Sequence, residues 1–277
     1  MARPRLALAL AASMLSLASC ASGTGSGGGT DLAHVHGLGV DPADGTLYAG
    51  SHHGLFRVTD DGIEGPVAGL EQDFMGFTVA DEGRFLASGH PGPGQPGPAA
   101  LGLLESTDGG ETWTSRSLAG EADFHALEFR HGRVWGINAM AGGELVTSSD
   151  LRTWRTVARV QAYDVAVSPE DADHVVVTTQ QGPFATEDGG KSFEALAGAP
   201  ALALLSWADD GALVGVDAEG RVHVRPAGED AWESGGTLAG PPEAIHAVDA
   251  DTVYAAADGR LWRSTDGGAS FSAYPAE

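Results

Sequence analysis

The sequence predicts an all-β chain folded as a six-bladed β-propeller with four-stranded blades. Three observations carry the prediction. The first is a repeated hairpin phrase: Ser106-Thr107-Asp108-Gly109-Gly110-Glu111-Thr112-Trp113, Thr186-Glu187-Asp188-Gly189-Gly190-Lys191-Ser192-Phe193, Ser264-Thr265-Asp266-Gly267-Gly268-Ala269-Ser270-Phe271 and the shorter Ser148-Ser149-Asp150-Leu151-Arg152-Thr153-Trp154. A tight hairpin asks for this order, because Asp folds back onto nearby N–H groups, Gly takes positive φ and the aromatic packs beneath. The second is a two-strand phrase that returns about every forty residues, the spacing of four-stranded blades. The third is composition: the chain has 41 glycines in 277 residues and no convincing amphipathic helix.

The elements follow in order. Inner strands are predicted to open at His36, Met75, His125, Tyr163, Leu202 and His246, and each is followed by a polar turn. Second strands follow at 46–50, 84–88, 133–137, 174–178, 212–216 and 252–256. Four blades carry the hairpin phrase between their third and fourth strands, with Asp108, Asp150, Asp188 and Asp266 as its structural carboxylates. Blades one and five hold degenerate versions at 58–62 and 225–232. The last strand runs almost to residue 277, so each blade is read as contiguous in sequence.

The N-terminus reads as a processing segment. Arg3 and Arg5 precede an apolar run from Leu6 to Leu17, which is too short to span a bilayer. Leu17-Ala18-Ser19-Cys20 looks like a bacterial lipobox. Residues 1–19 are therefore expected to be a lipoprotein signal peptide. Residues 20–30 would be a lipidated Cys20 with a Gly/Ser-rich tether, and 31–277 the propeller. This puts the protein on the extracytoplasmic face of the bacterial cell membrane, partnered to the membrane through its lipid. Cys20 is the single cysteine, so the propeller has neither disulfides nor thiolate metal sites. The charge balance of 38 acidic against 15 basic residues, net −23, excludes a nucleic-acid partner.

The hairpins resemble the Asp-box (BNR) repeat, S-x-D-x-G-x-T-W, of sialidase-like β-propellers, and the resemblance covers residues 31–277. Families sharing it include exo-sialidases, other glycosylhydrolase-like proteins, sortilin-type receptors and photosystem II assembly factors. The best fit is the bacterial lipoproteins described as sialidase-like or BNR-repeat glycosylhydrolases. For a sialidase the resemblance implies three clamping arginines, a Tyr nucleophile with a Glu, and an Asp acid/base on the channel face. Here only Arg159, Arg221 and Arg260 approach that face in the strand map, and no Arg-Ile-Pro motif precedes the first box. The arginine clamp is missing.

Histidines and methionines point elsewhere. In a blade, the connections into the first strand and out of the second share one face. His34, His36, His125 and His246 are read as opening inner strands, and His52, His53 and His90 as following second strands. Met75 and Met140 obey the same rule, so the mature methionines and seven of the ten histidines map to one channel rim. Imidazole with thioether and no thiolate suits copper, while imidazole alone also takes zinc. His36, His125 and His246 are the strongest candidates because they share one predicted register. Glu71, Asp73, Glu121, Asp123, Asp164 and Glu243 fall on the same face. They would either complete a metal shell or serve as the paired carboxylates of glycoside hydrolysis. Three readings follow: a membrane-tethered binding propeller holding copper or zinc, a sialidase-like glycosidase acting on a glycan, and a scaffold for another surface protein.

Overall fold

The computed structural model describes residues 32–276 and forms six antiparallel four-stranded sheets. The signal peptide, Cys20 and the tether lie outside the described residues. Blade 1 comprises β1 (Val35–Val40), β2 (Leu47–Ser51), β3 (Gly54–Thr59) and β4 (Gly62–Glu64). Blade 2 comprises β5 (Asp73–Asp81), β6 (Arg84–His90), β7 (Leu103–Ser106) and β8 (Thr114–Ser117). Blade 3 comprises β9 (Phe124–Arg130), β10 (Arg133–Asn138), β11 (Glu144–Ser148) and β12 (Arg155–Ala158). Blade 4 comprises β13 (Ala162–Val167), β14 (Val175–Thr179), β15 (Gly182–Thr186) and β16 (Glu194–Ala195). Blade 5 comprises β17 (Leu202–Trp207), β18 (Leu213–Asp217), β19 (Arg221–Arg225) and β20 (Glu233–Thr237). Blade 6 comprises β21 (Pro242–Ala247), β22 (Val253–Ala257), β23 (Arg260–Ser264) and β24 (Ser272–Ala273). The six first strands contact one another in ring order, β21 meeting β1. No described helix is long and apolar enough to cross a membrane.

The core is divided among the six junctions, with one apolar cluster between each pair of neighbouring blades. The strands bury both faces, so β2, β14 and β22 are apolar or small almost throughout. Each sheet is sequence-contiguous, and among the described residues no strand pairs blade 6 with blade 1. The ring instead closes through side chains: Leu32, Val35 and Leu47 pack against Tyr254, Leu261 and Tyr274.

The repeated hairpins take the conformation their order implies. In blade 4, Asp188 Oδ1 accepts from Lys191 N (2.8 Å) and Ser192 N (3.0 Å), while Oδ2 accepts from the Ser192 hydroxyl (2.7 Å). The Thr186 hydroxyl caps Gly190 N at 2.9 Å. Gly189 N then bonds Asp173 O (3.0 Å), tying this hairpin to the first turn of its own blade. Asp108 and Asp266 repeat the pattern. These hairpins lie on the face opposite the rim histidines His34, His36, His52, His90 and His125, where they stiffen the ring and leave the other rim free for chemistry.

Candidate metal centre

Every first strand carries a register shift near its start, in all six blades. Such a bulge leaves one residue unpaired and re-aims its side chain. The six bulge residues are His36, Met75, His125, Tyr163, Ala203 and Glu243, and they form one level of the channel mouth. His246 is therefore misplaced by the sequence reading. It pairs with Tyr254, three residues past the bulge, and the blade-6 counterpart of His36 and His125 is Glu243. His90 also differs, being the last residue of β6 rather than part of the loop after it.

Along the mouth, histidines and carboxylates form a continuous arc from blade 6 to blade 3. Glu243 Oε1 lies 3.2 Å from His34 Nδ1. The His34 and His36 rings meet edge-on at 4.6 Å, and His36 and His52 at 4.5 Å. His36 Nε2 faces His52 Nε2 at 3.3 Å. His52 Nδ1 sits 2.8 Å from Asp73 Oδ1, and the other Asp73 oxygen lies 3.0 Å from His90 Nδ1. His90 Nε2 and His125 Nε2 both approach Asp123 Oδ2, at 3.4 and 2.9 Å. The second oxygen of Asp123 is buried and has no hydrogen-bond partner.

The tightest part of this arc is His36, His52 and Asp73, whose ligand atoms fall within 4.8 Å of one another. Burial together with repulsion from His34 and His52 lowers the His36 pKa to about 3, so this imidazole keeps its lone pair at neutral pH. Asp73 meets His52 at Nδ1, and with the ring proton on that nitrogen the Nε2 lone pair faces His36. Bonds of about 2.0–2.1 Å to one tetrahedral ion put two ligand nitrogens about 3.3–3.4 Å apart. The observed 3.3 Å fits that geometry. Asp123 behaves as a partner of imidazoles: burial pushes its pKa up, but His125 and His90 outweigh this and the net shift is downward.

The other candidates separate by position. Met75 stands on the bulge level between His36 and His125, whereas Met140 is 59% exposed in the short turn Ala139–Ala141. His53, Glu71 and Glu121 are exposed and take no part in the arc. Asp164 faces blade 5, where its Oδ2 accepts from Leu205 N at 2.9 Å. Glu243 is nearly sealed from solvent and takes hydrogen bonds from Val35 N (3.0 Å) and Gly259 N (2.9 Å). The arginine that lines the channel, Arg130, ends β9 at the far opening, where Asp209 holds it at 2.9 Å. Arg159 and Arg221 are paired with Glu144 and Asp217. Sequence reasoning found both metal-side imidazoles and Asp73 but missed the continuous His–carboxylate arc, because its members come from four blades.

Beneath the mouth the channel holds a cavity of about 500 Å³, lined by His36, His125, Glu128, Asp164 and His246 among others. Burial pushes the Glu128 carboxyl up to about 7 against the opposing pull of Arg130, and pushes Asp164 up to about 6. Folded Glu128 therefore keeps a proton that the unfolded chain releases near its ordinary value of 4.5. Its contribution to stability is full below that value and is lost as pH rises through about 7. Urea denaturation is expected to give a stability about 1–2 kcal/mol lower at about pH 8 than at about pH 5 from this group, and Glu128→Gln should remove that part of the slope.

The described fold is similar to a gluconolactonase of Xanthomonas campestris, with TM-score 0.67 and 14% identity over 84% of this chain and 86% of that one. It is also similar to an ancestral GH74 enzyme, with TM-score 0.53 and 14% identity over 83% of this chain and 36% of the longer enzyme. At such identities the likeness is one of fold. No protein-family model matches the sequence. A comparison with curated proteins finds no match.

Proposed function

We propose that this protein is a metal-binding propeller of the Asp-box type, lipid-anchored at Cys20 on the extracytoplasmic face of the membrane. It would hold one transition-metal ion at its channel mouth. His36 and His52 supply imidazole nitrogens, Asp73 supplies a carboxylate or orients His52, and His34 stands beside them as a further ligand after rotation of its ring. The observation carrying this reading is the 3.3 Å approach of two imidazole nitrogens backed by a carboxylate. Copper is favoured over zinc, because mixed nitrogen and oxygen sites bind cupric ion more tightly. Met75 at the same level adds a thioether suited to the reduced ion. The ion would act there as a bound cargo or as a Lewis acid facing the cavity.

The test is metal titration of the chelator-treated protein with Cu²⁺ and Zn²⁺, followed by calorimetry. One equivalent is expected to bind, with affinity falling at least about 100-fold in His36→Ala and His52→Ala. In Asp73→Asn the expected fall is about 10–100-fold. His246→Ala, one level below the mouth, should leave binding unchanged. Equal affinity in His36→Ala and in the parent protein would overturn the reading.

A further inference from the structure

Three residues below the bulge level, the first strands contribute a second ring: Gly39, Thr78, Glu128, Ala166, Ser206 and His246. Glu128 in blade 3 and His246 in blade 6 stand in opposite blades of the ring, and both line the same cavity. His246 is enclosed by protein yet still open to the channel, and among the described residues neither ring nitrogen has a hydrogen-bond partner. The Thr78 hydroxyl is equally uncommitted. Donors and acceptors that face a cavity without a protein partner are open to a ligand or to water.

From this placement we infer that the channel waist is a binding site for a small uncharged polyol such as a monosaccharide, distinct from the rim. The waist offers both donors and acceptors from three blades. Hydroxyl groups match such a mixture because each gives and takes a hydrogen bond. Leu38, Leu127 and Ile245 add apolar surface for carbon-bound hydrogens. The cavity of about 500 Å³ lies within the range of small-molecule sites. Charge is muted at this level: burial holds Glu128 partly protonated near neutral pH and lowers the His246 pKa to about 4, leaving a neutral imidazole. An anionic ligand would have to shed its water here without a free counter-charge, since Arg130 is already held by Asp209.

The inference does not depend on the rim holding metal, so its test uses the chelator-treated protein. The imidazole signals of His246, assigned by their loss in His246→Gln, would be followed by NMR during titration with D-glucose and myo-inositol. Acetate and methylammonium serve as charged comparisons. A saturable shift with the two polyols, weakened about tenfold or more in Glu128→Gln, is the expected result. Thr78→Leu, which narrows the waist from a third blade, should block the shift while His36 and His52 signals stay in place. A response that never saturates, or that Glu128→Gln and Thr78→Leu leave intact, would overturn the proposal.

Discussion

Glu243→Ala is expected to lower the melting temperature by about 5–15 °C, the largest effect foreseen for a single rim residue. Among the described residues no strand links blades 6 and 1, which meet through side-chain packing, the Arg263–Asp60 ion pair and this carboxylate. Glu243 takes hydrogen bonds from Val35 N across the junction and from Gly259 N within its own blade, and it also meets His34. Alanine would strand two backbone donors in a nearly solvent-free place, at a cost of about 2–5 kcal/mol. Glu243→Gln keeps one acceptor oxygen and should recover about half of the loss. Differential scanning calorimetry distinguishes these outcomes. If Glu243→Ala melted like the parent, the carboxylate would have no part in ring closure.

Gly89→Ala is expected to damage the fold and the metal site together. Gly89 has φ +151°, a conformation L-residues rarely adopt, and a Cβ there would lie 1.8 Å from Asp73 O and 2.9 Å from Met75 N. Either β6 or the start of β5 must move, and Asp73 carries both His52 and His90. We expect a loss of about 2–4 kcal/mol of stability and at least about tenfold in metal affinity. Gly45→Ala is the matched comparison: its φ of +77° is also strained, but a Cβ there meets nothing within 4 Å. It should cost about 1 kcal/mol and leave metal binding untouched. Denaturant unfolding paired with metal titration reads both quantities. A Gly89→Ala protein with parental affinity would show that Asp73 tolerates displacement.

The blades were legible in the sequence because their signals are local. Asp188 finds its partners within four residues, so the hairpin phrase carries its own geometry. Strands β1, β9 and β17 open within one residue of the predicted positions for the same reason. Blade 6 shows where this reasoning stops. Ala244-Ile245-His246-Ala247-Val248 alternates acceptably from more than one starting point, and a histidine looked like the natural match to His36 and His125. The bulge falls at Glu243 instead. A bulge is set by pairing with the neighbouring strand, and no residue type announces it.

Chemistry at the rim divides along the same line. Residue types and their assignment to one face came from strand order, since antiparallel connections must alternate between the two ends of a blade. The sequence by itself therefore determined the propeller, the separation of stiffening hairpins from the opposite rim, and the supply of histidines, acids and Met75 there. Only the tertiary structure decided which of them meet. His36 and His52 are joined within one blade, Asp73 reaches them from the next, and Asp123 binds His90 from a third. It also set His246 and Glu128 apart in the waist and made Glu243 a clasp. The physical reason is range. A hairpin is specified by hydrogen bonds a few residues apart, whereas His–carboxylate distances depend on how six separately packed junctions close the ring.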